Sequence, residues 1–478
     1  MASTKTLNVS NLEALGAARL AGLLMEISDG NAAAKRRLRL ELAGAQSPAE
    51  LVKEIRKRLG TIARSRSFVD WQNRKTLVDD LETQRRAIAD HVAKSMSAEG
   101  LDLMWRFLDL ASPVLGRCDD SNGTISGIFQ TAIGDLGEIA GSTSTDPKQL
   151  GDQVFNALTR NDYGQFDGLI PALKPALGHA GLEHLKQRMI ALSAEPVRRP
   201  AAKERQVIGW GSGGEIYADD IAERSRVSTV RLALQEIADA QGDVDAFVAQ
   251  YDQRTRKVPK IAAEITQRLL AAGRAEEAWR TIEMAEHRQG GWPDFDWEDA
   301  RIDVLEALGR GDEAQAARLA CFERSLSARH LRDYLKRLPD FDDFEAEERA
   351  LGHAQHCGDL LQAVLFLVSW PSLDRAARVV IERAKELEGN HYEVLTSAAE
   401  ALTGKYPLAA TLMLRAMIDF TLTRTRSSRY SHAARHLRTC ESLAPAIADF
   451  GIFETHDAYV SRLREQHGRK TAFWSLAS

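Results

Sequence analysis

Leu269-Leu270-Ala271-Ala272-Gly273-Arg274-Ala275-Glu276-Glu277-Ala278-Trp279 is the stretch on which the fold turns. An apolar run stops at a glycine, acidic residues follow, and an alanine stands five residues beyond the glycine. Glycine takes the left-handed conformation that ends a helix without a Cβ clash. Carboxylates are favoured in the first turn of the next helix, at the positive end of its dipole. The small alanine lets two antiparallel helices approach closely. The motif returns around Gly242-Asp243-Val244-Asp245-Ala246, Gly309-Arg310-Gly311-Asp312-Glu313-Ala314, Gly358-Asp359-Leu360-Leu361-Gln362-Ala363 and Gly404-Lys405-Tyr406-Pro407-Leu408-Ala409. In the last three of these, as in the first stretch, the alanine holds the fifth position: Ala278, Ala314, Ala363 and Ala409. A lone helical hairpin cannot bury its apolar stripe, so such units stack. The expectation is an all-α chain whose second half is an irregular α-solenoid of tetratricopeptide-like hairpins. The glycines lie 31, 36, 49 and 46 residues apart, against about 34 in a regular tetratricopeptide array. The irregularity implies loop insertions, and one is visible at 290–299, GGWPDFDWED.

Upstream the pattern stays helical. Ser10-Asn11-Leu12-Glu13 reads as an N-cap and acidic first turn, followed by an apolar face of Leu12, Leu15, Ala18, Leu20, Leu23, Leu24 and Ile27. Further helices are expected over 32–43, 49–64 (entered through Ser47-Pro48), 71–96, 99–111, 124–140, 148–160 and 179–193. No strand-like alternation stands out. Two prolines and a glycine cluster between 195 and 214 mark the main boundary. The expected layout is an N-terminal helical domain at 1–140, a helical connector at 141–194, a Pro/Gly-rich linker at 195–216 and the helical-repeat solenoid at 217–478.

The 478 residues are 44% apolar and 27% charged, the composition of a folded chain with core to spare. A net charge of −5 gives no overall pull towards nucleic acid or membrane. The four cysteines show no CxxC spacing, which argues against a zinc ribbon or a disulfide framework. The start lacks the basic and apolar segments of a secretory leader, and no apolar run is long enough to span a bilayer. A soluble, cytoplasmic protein without a membrane partner is expected.

Some stretches resemble a known family. QEIADAQGDVDAFV (235–248), HLRDYLKRLPDFDDFEAEERAL (330–351), KYPLAATLMLRAMIDFTLTRTRSSRYSHAARHLRTC (405–440) and HGRKTAFW (467–474) are similar to the helical-repeat region C-terminal to the zinc module of bacterial SWIM zinc-finger proteins. The whole chain looks similar to a bacterial family of unknown function that carries this region without the zinc module. The likeness covers 217–478 well and the first 140 residues at family level. It implies a helical-repeat fold and no transferable activity. The CxC and CxH pairs of a SWIM module are absent, so no zinc site carries over.

The remaining constellations each have a plain reading and a sharper one. The 209–214 stretch, Gly209-Trp210-Gly211-Ser212-Gly213-Gly214, is a linker or an anion cradle before a helix, but it has neither Gly-Lys-Ser/Thr nor a preceding strand in a βαβ unit. His432, His436 and Cys440 share a helix face, yet an i, i+8 span of about 12 Å keeps three ligands from one ion. His353, His356 and Cys357 form a second loose cluster. Arg426 and His432 have the Rx5H spacing of HEPN-type ribonucleases, and nothing else of that motif. Asp340, Asp342, Asp343, Glu345, Glu347 and Glu348, with Phe341 and Phe344 among them, form an acid-capped helix start or a patch that meets the basic run of another chain. That basic run is Arg424, Arg426, Arg429, Arg435 and Arg438, followed by Arg462, Arg464, Arg469 and Lys470 interleaved with Tyr459, Phe473 and Trp474. It is a solvated or internally paired face, a grip on an acidic protein, or a path for a phosphate backbone. Trp292, Phe295 and Trp297 are loop anchors for a partner or covers for a helix end.

No motif nominates a nucleophile, a metal site or a cofactor. The expected function is a non-enzymatic scaffold or adaptor that binds a protein partner through its repeat surface, with Trp292, Phe295, Trp297 and the five arginines as candidate contacts. The alternative is an RNA- or DNA-binding protein, with or without ribonuclease activity, that uses the basic C-terminal helices. A homo-oligomer is compatible with either.

Overall fold

The computed structural model describes residues 6–70, 74–197, 199–201, 203–286 and 294–477. The chain is all-α apart from one small hairpin among the described residues. It divides into two compact units, Met1–Asp252 and Gln253–Ser478.

The first unit contains α1 (Val9–Glu13), α2 (Ala17–Ser28), α3 (Ala32–Gln46), α4 (Pro48–Arg64), α5 (Arg74–Arg86), α6 (Ala93–Ser95), α7 (Ser97–Leu108), α8 (Ala111–Leu115), α9 (Thr124–Gly141), α10 (Pro147–Leu158), α11 (Leu169–Ala194), β1 (Val207–Gly211), β2 (Gly214–Tyr217), α12 (Ala218–Gln241) and α13 (Val244–Val248). In α4, Ser47 accepts the Glu50 N–H and Pro48 opens the helix, as its sequence dictates. Leu51, Val52, Ile55, Leu59 and Ile62 then fall on one buried face at three- and four-residue spacing. They join Phe107, Phe129, Leu136, Leu173 and Leu185 in one core.

Three expectations for this half need correction. The first cap is Asn8, whose side chain accepts the Asn11 N–H at 2.8 Å, and Gly16 at φ 79° divides the expected first helix in two. Part of its apolar face is not covered, since Leu15, Leu24 and Ile27 are all exposed. The glycine-rich 209–214 stretch is neither irregular nor an anion cradle: it forms an antiparallel hairpin in which Gly211 pairs with Gly214 and Trp210 with Glu215. Strand β2, not a glycine loop, precedes α12. Arg205 then clamps the hairpin to the start of α12, stacked 3.8 Å from the Tyr217 ring and bonded to Asp219 at 3.0 Å.

The division at 252/253 lies inside the expected 217–478 repeat region. The cause is the packing of α12 along α11, which places Ala233 and Ile237 in the core of the first unit.

The second unit contains α14 (Pro259–Ala271), α15 (Ala275–Glu283), α16 (Phe295–Ala307), α17 (Gly311–Ser325), α18 (Ala328–Leu335), α19 (Asp342–Gln355), α20 (Leu360–Ser369), α21 (Leu373–Glu382), α22 (Tyr392–Leu402), α23 (Pro407–Thr423), α24 (Tyr430–Leu443), α25 (His456–His467) and α26 (Thr471–Ala477). From α14 to α24 the main packing of each helix is with the next one or two in the chain. Ala278, Ala314, Ala363 and Ala409 are fully buried where helices meet. Gly242, Gly273 and Gly309 adopt left-handed φ of 71°, 73° and 73°. Gly358 and Gly404 do not. At Gly358 the turn is held otherwise: the Arg383 guanidinium donates to the Cys357 and Gly358 carbonyls at 2.6 and 2.8 Å, and Asp359 caps α20.

Candidate functional site

The last three helices of the second unit form a groove. In α24 the residues Tyr430, Ala433, Ala434, Leu437 and Cys440 recur at helical spacing and are buried, which turns Arg435 and Arg438 outward. Helix α26 buries Phe473, edge-on to Tyr430 at 6.0 Å and to Trp474 at 5.0 Å. Helix α25 is capped by Thr455 and buries Tyr459 and Leu463. Its seat is polar. The Tyr459 hydroxyl donates to Asp419 at 3.0 Å, and Arg462 bonds both Asp419 and Glu454 at 3.3 and 3.0 Å. Arg415, 5% exposed, donates to the Glu454 carbonyl at 2.7 Å and lies 4.4 Å from the Tyr459 ring. Burial and the Asp419 carboxylate push the Tyr459 phenol well above its usual range, so it stays a neutral donor.

The groove encloses about 590 Å³. Its apolar wall is Leu437, Val460 and Trp474; its charged rim is Arg438, Glu441 and Arg464, with His456 at one end. Trp474 donates to the His467 carbonyl at 3.0 Å and carries the Arg464 guanidinium 5.3 Å from its ring.

The arginines from 424 to 438, of which Arg438 lines the groove, lack acids among the described residues. Arg424, Arg426, Arg435 and Arg438 are exposed. Arg429 stacks 3.4 Å from the Tyr392 ring, Arg435 bonds His432 at 2.8 Å and Arg438 bonds the Leu476 carbonyl at 3.2 Å. None of the five forms an ion pair among the described residues. Asp419 and Glu454 are both taken by Arg462, and Glu441 on the groove rim forms no ion pair with the five among the described residues. Internal pairing, one reading of this basic run, thus holds for Arg462, while Arg429, Arg435 and Arg438 have uncharged partners within the chain.

One family model, described as a family of unknown function, matches residues 2–476. The chain belongs to that family, DUF6880. No curated protein and no solved structure matches it. The DUF6880 match spans both units.

The other candidate residues of this DUF6880 chain are dispersed. Trp292 lies outside the described residues. Phe295 and Trp297 stand in the first turn of α16 instead of a loop. Trp297 donates to the Ile282 carbonyl at 3.2 Å and packs beside Ala262, Ala263 and Ala300; Phe295 stacks on His330 at 5.8 Å. Both rings are thus engaged in helix packing. Arg426 lies in the turn before α24 and His432 within it, and no hydrogen bond joins their side chains among the described residues. His436 is held down to about 4 by burial, with Arg435 and His432 adding to the effect, while the buried Cys440 thiol is pushed up to about 12. Cys440 thus faces the core and His432 the solvent. His353 donates to the Glu323 carbonyl and His356 to that of Gly352, so they too turn to separate backbone partners. Among the described residues no three His, Cys, Asp or Glu side chains are placed to hold one metal ion. No described helix is long and apolar enough to cross a membrane.

One constellation escaped sequence reading. His330 bonds Asp299 at 3.0 Å through Nε2 and Ser327 at 2.8 Å through Nδ1. The Asp–His–Ser order is that of a hydrolytic relay. Here it serves packing: His330 is 2% exposed beneath Phe295, out of reach of a substrate, and Ser327 caps α18. Burial would raise the Asp299 carboxyl, but the His330 and Arg329 bonds outweigh it and hold it below the usual range. The sequence signal was the Ser327-x-x-His330 spacing, which a search for caps could have flagged.

Proposed function

We propose that this chain is a non-enzymatic scaffold or adaptor, built on a helical-repeat framework, whose α24–α26 groove takes an acidic protein segment. The observation that carries this reading is a half-apolar groove rimmed by Arg438 and Arg464, with Arg438 closing a run of five arginines, 424 to 438, that form no ion pair among the described residues. Unpaired guanidinium groups are ready to form charge-assisted bonds, and a buried apolar anchor supplies most of the affinity in such sites. The resemblance of 217–478 to the SWIM-associated region points the same way, since it implies a repeat fold without an activity.

Nucleic acid is the second reading, favoured by the same arginines. One observation weighs against it: the Arg464 guanidinium lies 5.3 Å from the Trp474 ring, so one face of that ring is already occupied. Stacking platforms for bases need free ring faces.

The test is affinity capture of the tagged chain from its own cells, with and without nuclease, for the wild type and Arg438→Glu/Arg464→Glu. A protein that survives nuclease and is lost from the variant is the expected result. Co-purifying nucleic acid, bound with a steep salt dependence that Arg424→Ala/Arg426→Ala flattens, would replace the adaptor reading with the second one.

A further inference from the structure

Resting on the groove reading above, we propose that the occupant is a second copy of this chain: the acidic, aromatic 340–345 segment of one copy seats in the α24–α26 groove of another. The segment presents two rings to solvent, Phe341 at 81% and Phe344 at 67% exposure. Phe341 holds φ at 76°, a left-handed conformation uncommon for a residue with a bulky side chain. It follows Asp340 and precedes Asp342 and Asp343, and none of these three acids forms an ion pair among the described residues. An exposed, strained aromatic flanked by unpaired carboxylates is a surface that lacks its counterpart.

The groove supplies what is missing. Arg438 and Arg464 on its rim outnumber the single rim carboxylate, Glu441, and answer the acids, with Arg435 exposed on the same outer face of α24. Leu437 and Val460, with Trp474 beside them in the groove lining, answer the rings. The match is one of opposite charge around an apolar centre, the arrangement that sets register and partner choice in specific interfaces. Within one copy the two surfaces do not satisfy each other. Helix α19 packs against α17, α18, α20 and α21, and no hydrogen bond, ion pair or ring contact joins 340–345 to α24, α25 or α26 among the described residues. Each copy therefore carries one segment and one groove, and the contact is heterologous.

The experiment is light scattering on the purified full-length chain across a concentration series, with two variants. Phe341→Ser/Phe344→Ser keeps the groove and removes the segment; Arg438→Glu/Arg464→Glu keeps the segment and removes the groove. All four side chains are on the surface or the groove rim, and an unchanged far-ultraviolet melt checks folding; Arg438→Gln/Arg464→Gln is the milder substitute. The wild type is expected to show a species above monomer mass that added salt weakens. Each variant alone is expected to lose it, and an equimolar mixture of the two to give a one-to-one dimer, because one good segment and one good groove remain. A wild type that is monomeric throughout, a self-association that survives either variant, or a mixture that forms no dimer overturns the proposal. In that event, capture of a different partner that Arg438→Glu/Arg464→Glu abolishes would leave the groove reading standing with another occupant.

Discussion

Glu236 has a carboxyl pushed up to about 7, first by burial and then by Asp167 and Asp239 nearby. The sign follows from where the proton sits. The folded value lies above the unfolded one of about 4.3, so the folded chain holds the proton more tightly. The penalty for charging this carboxyl is absent below about pH 4 and grows as pH rises through about 7. Glu236→Gln removes it. We expect the variant to match the wild type near pH 4 and to be more stable by about 1–3 kcal/mol near pH 8, read by urea unfolding at both values. Equal stability at both would show that the charged form is not penalised. Asp299 is the opposite case. Its lowered folded value means that its stabilisation is present at neutral pH and disappears on acidification below the ordinary carboxylate range. Neither residue could be singled out in the sequence, because each shift depends on which side chains surround the carboxyl and not on the spacing of acids along the chain.

Helices and turns were the more legible level. The glycine and alanine punctuation placed turns between helices and buried alanines where the structure has them, because both residues act through local sterics: a missing Cβ at a left-handed turn, a small side chain at a close approach. It did so even where the mechanism differed, as at Gly358, which arginine and aspartate side chains hold in place of a left-handed glycine. A glycine outside the motif is more constrained. A Cβ at buried Gly389 would collide with the Ala416 carbonyl of α23 and stand 2.8 Å from the Phe420 Cβ. Gly389→Ala is expected to cost about 2–3 kcal/mol by forcing loop and helix apart. Gly404→Ala, with open space and an ordinary φ, is expected to be silent. Thermal melts of the two variants check this, and an unchanged Gly389→Ala would refute so close an approach. The β1–β2 hairpin was not legible, since glycines replace the alternation that marks a strand, and its pairing is set by the turn and by Arg205. The groove was half legible. The arginines stood out as a run, but which of them finds a carboxylate, as Arg462 does in Asp419 and Glu454, depends on the fold of α23 to α25.

At the scale of the molecule, two units with their own cores imply two folding units. Residues 253–478 produced alone are expected to melt cooperatively, and differential scanning calorimetry of the full chain to resolve more than one transition. A fragment without a cooperative melt would mean that the second unit depends on the first for its stability. Within the second unit the packing of each helix on its immediate successors has a further effect. Most of its contacts close short loops, so little chain entropy must be lost before packing energy is gained, and assembly is expected to be quick for its length. The same locality limits the spread of harm. A lesion in one hairpin loosens its neighbours first and reaches distant helices weakly, so a substitution near α14 can leave the far end of the unit folded.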